Sequence, residues 1–327
     1  MSVVGRASNP GNRSDRARAH PHPRREETSS RKSRRGAVSR FPREWEAVVV
    51  GGGPAGLAAG LQLSRAGLRT ALLERDALGG QARRLRLIEN SPGWPKGISG
   101  ARLMAAWVRQ ARSWGLKTLK GELVSLRAGP DAQRLDLADG RRLEARSVVL
   151  ATGARFKPLR VPGARRLRGR GVYHAAFDAP GAGRGRAVAV IGGGEAAVHQ
   201  ALHLARLARR VILVARGPLK AHRLLLSRLA AQPNAEIRPG RVVRVEGTKA
   251  VSALVLRDLR GALVRLPVSA VFVLIGARAS TWARMEGRPG VFVAGDARGS
   301  VERQVAVAAG DGMAAAVRAM RWLGERA

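Results

Sequence analysis

The sequence predicts an α/β protein with two Rossmann-like nucleotide-binding units, and three observations carry that prediction. Residues 48–50 are an apolar, β-branched run that turns through Gly51, Gly52, Gly53, Pro54, Ala55 and Gly56 into a helix of small residues. A second copy begins at residues 187–191 and turns through Gly192, Gly193, Gly194, Glu195, Ala196 and Ala197. A third apolar run, residues 291–294, ends on Gly295 and Asp296. That puts an acid at the carboxyl end of a strand, where ligands of open α/β sheets bind.

In the first unit, glycines 51, 53 and 56 fit G-x-G-x-x-G. The first makes the tight turn, the second lets the backbone approach a pyrophosphate, and the third lets the helix pack closely. The helix N-terminus then directs free N–H groups and partial positive charge at the phosphates. The helix continues over residues 57–63 and stops at Gly67, and residues 70–73 make a second strand ending on Glu74, with Arg75 after it. Glu74 lies 18 residues beyond Gly56, near the spacing at which an acid takes a ribose 2′-hydroxyl. Loops follow at 79–81 and 88–95, and Ser99 is expected to cap a helix running to about Trp114. Strands are predicted at 117–126, 134–137 and 142–150, with Asp139-Gly140 as a hairpin signal and Ala151-Thr152-Gly153 at the end of the last.

In the second unit the helix is expected over 198–207 and its next strand over 211–214. Counting the same 18 residues from Ala197 lands on Ala215, so the acid is missing and Arg216 follows. A small residue beside an arginine leaves room and charge for a 2′-phosphate, which favours NADPH over NADH. Beyond it come a helix at 222–231, strands at 237–245, 254–256, 263–266 and 270–275, and a final helix over 301–323.

With 327 residues the chain can hold two ordinary domains. No apolar run approaches a membrane span and no apolar signal segment follows the N-terminus, so a cytoplasmic protein is expected. The absence of cysteine excludes disulfides, thiolate metal sites and a dithiol relay within this chain. Arginine supplies 53 of the 60 basic residues set against 23 acidic ones, a net +37 that suits an anionic partner and also fits a compositional bias. Residues 1–43 hold 12 Lys/Arg and 3 Asp/Glu with few large apolar side chains, and read as a disordered basic tail. Nucleic acid bound through that tail is the alternative reading of the charge. The remainder carries 48 bases against 20 acids, a net +28 that would suit an acidic protein partner.

Taken together, Gly51 to Gly56, Gly80-Gln81, Glu89-Asn90, Ala151 to Gly153, Gly192 to Gly194, and Gly295-Asp296 followed by Arg303-Gln304 resemble the thioredoxin reductase-like pyridine nucleotide flavoproteins. The resemblance implies two Rossmann-like, three-layer ββα domains, the NADPH domain (156–276) inserted into a discontinuous FAD domain (44–155 and 277–327). It also implies that Glu74 holds the adenosine ribose, that Val124 meets adenine through its backbone, and that Gln81 and Asn90 lie along the flavin half. Asp296 would bond the ribitol or pyrophosphate, and Arg303 and Gln304 would sit at the isoalloxazine edge.

Two departures stand out. Where the family carries Cys-x-x-Cys-Asp, this chain reads His174-Ala175-Ala176-Phe177-Asp178, which is similar to the cysteine-less branch containing ferredoxin reductases and proteins fused to a cyclic-nucleotide-binding domain. Residues 277–290 are also shorter than the family's segment, so either the sheet is trimmed at its edge or FAD is held less firmly. The function implied is hydride transfer from NADPH to FAD, then electron delivery to an external acceptor: a small redox protein such as ferredoxin or flavodoxin, or a quinone. A homodimer is implied by kinship alone. A sensory or degenerate flavoprotein without turnover is the alternative. No catalytic side chain and no metal ligand is assigned; His174 and Asp178 read as packing or surface residues, with proton donation near the flavin as their other reading.

Overall fold

The computed structural model describes residues 45–179, 181–299 and 302–325; the expected basic tail lies outside the described residues. In chain order the elements are β1 (Trp45–Val50), α1 (Pro54–Arg65), β2 (Thr70–Glu74), α2 (Gly100–Ser113), β3 (Lys117–Lys120), β4 (Leu123–Ala128), β5 (Gln133–Leu137), β6 (Arg142–Leu150) and β7 (Ala154–Phe156). There follow β8 (Val172–Tyr173), β9 (Ala187–Ile191), α3 (Glu195–Ala205), β10 (Arg210–Ala215), α4 (Arg223–Ala230), β11 (Ala235–Pro239), β12 (Arg241–Glu246), β13 (Ala253–Arg257), β14 (Leu263–Pro267) and β15 (Ala270–Val273). The chain closes with β16 (Ala277–Ala279), β17 (Val291–Val293) and α5 (Val305–Gly324).

Both halves are built as three layers. In the first, β3, β2, β1, β6 and β17 run parallel, and β6 also pairs antiparallel with the β4–β5 hairpin. Because β1 alternates, Ala47 and Val49 face α1, α2 and α5, while Val48 and Val50 face Leu123, Leu126 and Leu135 of the hairpin. A strand buried on both faces must be apolar throughout, which is why residues 47–50 read as an unbroken run. The second half repeats the arrangement: β11, β10, β9, β15 and β8 are parallel, Val188 and Val190 face α3 and α4, and Ala189 and Ile191 face the β12–β13–β14 meander. The two-layered cover on each parallel sheet is the ββα architecture expected.

The chain passes between the halves twice, outward after β6 and back after β15. Both passages meet in a ribbon of two antiparallel strands, β7 and β16, in which Ala277 pairs with Phe156, Arg278 with Arg155 and Ala279 with Ala154. Residues 277–290 therefore give one ribbon strand and a short 3-10 turn, Thr281–Met285, before β17 rejoins the first sheet. Among the described residues no helix is long and apolar enough to cross a membrane.

Several boundaries differ from expectation. The strand expected over 117–126 is two: Gly121 turns its N–H to the Glu74 carbonyl at 3.0 Å, ending β3, and β4 begins on the far side of the sheet. The strand expected over 237–245 likewise divides at Gly240, whose N–H donates to Ala215 O at 2.9 Å. The final helix starts at Val305 rather than 301, with Gln304 as its N-cap. Ser99 caps α2 as expected, its Oγ accepting the Arg102 N–H at 3.3 Å.

Candidate functional site

One cleft of about 3380 Å³ runs along the carboxyl ends of both parallel sheets, several times the 300–1,000 Å³ of a site for one small ligand. Its walls include Gly51, Gly53, Pro54 and Ala55 of the first turn and Gly192, Gly194 and Glu195 of the second. Glu74, Arg75, Gly80, Gln81, Asn90, Ala151, Thr152, Gly153, Arg216, Asp296, Arg303 and Gln304 also line it. The structure thus brings most of the predicted residues to one surface.

Four do not face the cleft. A Cβ at Gly56 would collide with the Gly51 carbonyl oxygen, so Gly56 serves the close approach of α1 to its own turn. Ala197 is fully buried and plays the corresponding part in the second turn. Gly295, at φ +65°, lies where a Cβ would come within 2.7 Å of Ala55 Cβ. Val124 sits at a register shift between β4 and β5, between Leu123 and Ser125, and is 55% exposed outside the cleft wall, which Gly121, Glu122 and Leu123 line instead; the backbone contact to adenine stays what the resemblance implies.

The residues present fit two dinucleotides. Helices α1 and α3 begin at Gly53 and Gly194 with no side-chain cap, so their first N–H groups are left for a ligand. No heavy atom lies within 4 Å of a Cβ built on either glycine, so the backbone there is open to close approach. Thr152 presents a buried hydroxyl without a hydrogen-bond partner on the first half of the cleft wall. Glu74 braces the first turn, its Oε2 accepting the Gly52 N–H at 2.6 Å and its Oε1 the Asp76 N–H at 2.7 Å. A carboxylate offers about four acceptor positions, so two remain for ribose hydroxyls. Arg75 is tied to Glu122 at 3.0 Å, and Gln81 donates to Ala154 O at 2.9 Å.

The two cradles touch through side chains. Asn90 Nδ2 donates to Gln304 Oε1 at 2.9 Å, and Gln304 Nε2 donates to Glu195 Oε1 at 3.3 Å, so Gln304 spans from the first half to the start of α3. Glu195 Oε2 also lies 3.2 Å from His222 Nε2. Arg84–Asp178 at 3.4 Å and Arg228–Glu89 at 2.8 Å tie the 82–90 segment to the second half. Burial pushes the half-buried Asp296 carboxyl above the usual carboxylate range, with Arg303 acting in the opposite direction. Asp311, which sequence reasoning missed, accepts the Gly295 N–H at 2.7 Å and holds this turn.

Around Arg216 stand two further cations with no sequence signal. Lys220 donates its backbone N–H to Gly193 O at 2.6 Å, and Arg241 follows the Gly240 that bonds Ala215, so both line the cleft beside the second turn. His174 stacks on Phe156 (centroids 5.5 Å, planes 15°) and its Nδ1 lies 3.2 Å from Val273 O. Since a carbonyl can only accept, Nδ1 carries the hydrogen and Nε2 is left as the free ring nitrogen. Asp178 Oδ2 accepts the backbone N–H groups of His174 and Ala175 at 3.3 and 3.1 Å. No cluster suited to a metal occurs among the described residues.

His203 on α3 carries the site's clearest pH dependence. Burial, then Arg86 and Arg206, push its imidazolium below the ordinary range. A depressed base leaves the unfolded chain binding more protons in acid, so the contribution is present above about pH 6.5 and lost as pH falls. The melting temperature of the parent should therefore fall relative to that of His203→Gln between pH 7.5 and 5.5. A constant gap across that range would remove His203 from the account.

Comparison with known proteins agrees with this geometry. Residues 45–312 match the pyridine nucleotide-disulphide oxidoreductase family. The chain is 39% identical to the bifunctional thioredoxin reductase/thioredoxin of Mycobacterium leprae, with 86% of this chain and 66% of that protein covered. It is 32% identical to the thioredoxin reductase of Treponema pallidum, covering 86% and 97%. The crystal structure of Lactococcus lactis thioredoxin reductase in the FR conformation superposes with a TM-score of 0.82 at 27% identity, covering 86% of this chain and 99% of that one.

Proposed function

The chain belongs to the pyridine nucleotide-disulphide oxidoreductase family, and on that premise we propose that it moves electrons from NADPH through FAD to an acceptor outside the chain, with no dithiol of its own. Thioredoxin reductases of this family use FAD and NADPH, and the chain is a flavoprotein oxidoreductase of that kind. The further step rests on composition: with no cysteine, the chain has no thiol to relay electrons, and His174 and Phe177 stand in the segment where a reductase's dithiol belongs. The FAD-binding part is read as residues 44–155 and 277–327, and the NADPH-binding part as 156–276.

When bound, FAD supplies the redox chemistry by accepting a hydride from NADPH and giving up electrons singly or in pairs. The protein's tasks are to bind, orient and exclude water. The α1 N-terminus and Thr152 would hold the flavin nucleotide's phosphates, Glu74 its ribose and Asp296 a ribitol hydroxyl. The α3 N-terminus would take the NADPH pyrophosphate, with Arg216, Lys220 and Arg241 offering positive charge to the 2′-phosphate.

The observation that carries the reading is the Asn90–Gln304–Glu195 link, which joins the two cradles within a single cleft. Anaerobic NADPH should bleach the flavin of the purified holoprotein. A flavin that stays yellow under excess NADPH would end the proposal. Arg216→Ala and Arg241→Ala should each weaken 2′,5′-ADP binding about tenfold and leave 5′-AMP binding unchanged, since a hydrogen bond to a charged group contributes roughly 1.5–3 kcal/mol and both arginines are exposed.

A further inference from the structure

The β7–β16 ribbon carries a concentration of positive charge on residues to which no cofactor contact is assigned. Residues 151–171, the outward passage between the halves, contain seven Lys/Arg and no Asp/Glu. The returning residues 269–285 add Arg278 and Arg284, again without an acid. In the ribbon, Arg155 and Arg278 are directly opposed in register, and like charges so placed destabilise a strand pair. Both are exposed, as are Lys157 and Arg160 beside them. None of these four forms an ion pair within 4 Å among the described residues, whereas the chain's exposed arginines elsewhere supply most of its ion pairs. Arg303, read above as a residue of the flavin edge, donates from Nη2 to Ala277 O at 3.1 Å and so fixes one more cation where the ribbon meets the site.

The position matters as much as the charge. Arg155, Lys157, Arg160 and Arg303 all line the cleft, and half-buried Phe156 offers an aromatic surface among them. A cluster of unpaired cations around an aromatic group, at the rim of an electron-donating site, has the composition of a docking surface for an acidic protein. We propose that the ribbon is where a small acidic electron-carrier protein docks, so that the acceptor meets the flavin at the junction between the halves. This deepens the function proposed above and rests on it. The opposed arginine pair is then relieved when the carrier's carboxylates fall between them, and association is steered by long-range attraction that salt weakens.

The test uses the full-length holoprotein and, as probe, an oxidised [2Fe–2S] ferredoxin of net negative charge, with binding read by calorimetry at low and high salt. Arg155→Glu/Arg278→Glu should weaken binding at least tenfold. Arg186→Glu/Arg209→Glu makes the same change in net charge at the amino ends of β9 and β10, off the ribbon and outside the cleft lining, and should weaken it less than twofold. Equal losses in the two variants would mean that bulk charge alone acts, and the docking surface would be rejected. So would undetectable binding of the parent protein at low salt, or tighter binding of a single-stranded oligonucleotide at the same residues. Arg155→Glu alone guards against misfolding: it converts the opposed pair to opposite charges, so it should keep or raise the melting temperature while still weakening the ferredoxin. Anaerobic bleaching by NADPH, which does not involve the carrier, should be unchanged in every variant. Bleaching without carrier binding rejects the docking surface and leaves the proposed function intact; carrier binding without bleaching rejects the function.

Discussion

Gly56→Ala is expected to yield a colourless protein destabilised by at least about 3 kcal/mol, the upper part of the range for overpacking a tight site. The cause is a single contact: a methyl group at Gly56 would sit inside the Gly51 carbonyl. Gly51 has little room to move away, because it holds φ +104° and a Cβ built on it would collide with the Ala151 carbonyl oxygen. The turn must open instead, carrying with it the start of α1 and the N–H groups meant for the phosphates. Gly53→Ala supplies the contrast. Its added methyl meets no heavy atom within 4 Å and its φ of −76° suits alanine, so the variant should melt like the parent. It should still bind FAD more weakly, because the methyl projects into the cleft. Chemical denaturation and flavin absorbance of the two variants separate the packing role from the binding role. A Gly56→Ala protein that purifies yellow with parental stability would refute the packing argument. The second turn holds a buried Ala197 at the matching position, so that turn accommodates the methyl group that the first does not.

Such a comparison also marks what could be read from the chain without coordinates. Each glycine turn, the Ser99 cap and the buried runs at residues 48–50 and 187–191 are local: spacing of a few residues decides them, and the structure agrees. Features that depend on a distant partner were not legible. The division at Gly121 depends on the Glu74 carbonyl, 47 residues away. The Val124 bulge depends on how β5 comes to lie against β4, and no propensity of Val124 itself announces it. Lys220 and Arg241 reach the second turn only because backbone bonds to Gly193 and Ala215 draw their segments there. The four histidines of the described residues, 174, 199, 203 and 222, all line one cleft, although in sequence they look scattered. Asp311 was invisible for a similar reason, since an acid within a helix of alanines reads as a solvated position until α5 is set against the Gly295 turn.

Asp296→Asn should move stability and affinity in opposite directions, and that opposition is what identifies the residue's task. Burial raises the carboxyl's pKa in the folded protein, and this outweighs the opposing charge of Arg303. An acid whose folded pKa lies above its unfolded value favours folding below the unfolded pKa, and that advantage is lost as pH rises through the folded value. At neutral pH the ionised Asp296 is therefore a burden on the protein stripped of FAD, and asparagine, of nearly the same shape, removes it. The stripped variant should melt higher than the stripped parent at pH 7, and the difference should shrink as pH is lowered toward 4. FAD affinity should fall tenfold or more, because the carboxylate's hydrogen bond to a ligand hydroxyl is charge-assisted and the amide's is not, a difference of about 1.5 kcal/mol. A residue kept only for packing would give the reverse pattern, a lower melting temperature with affinity preserved. Thermal melts of the stripped proteins across pH, set beside flavin titrations at pH 7, decide between the two. An ionised group retained in a half-buried position at a cost to folding is intelligible only if its charge is used when the ligand arrives.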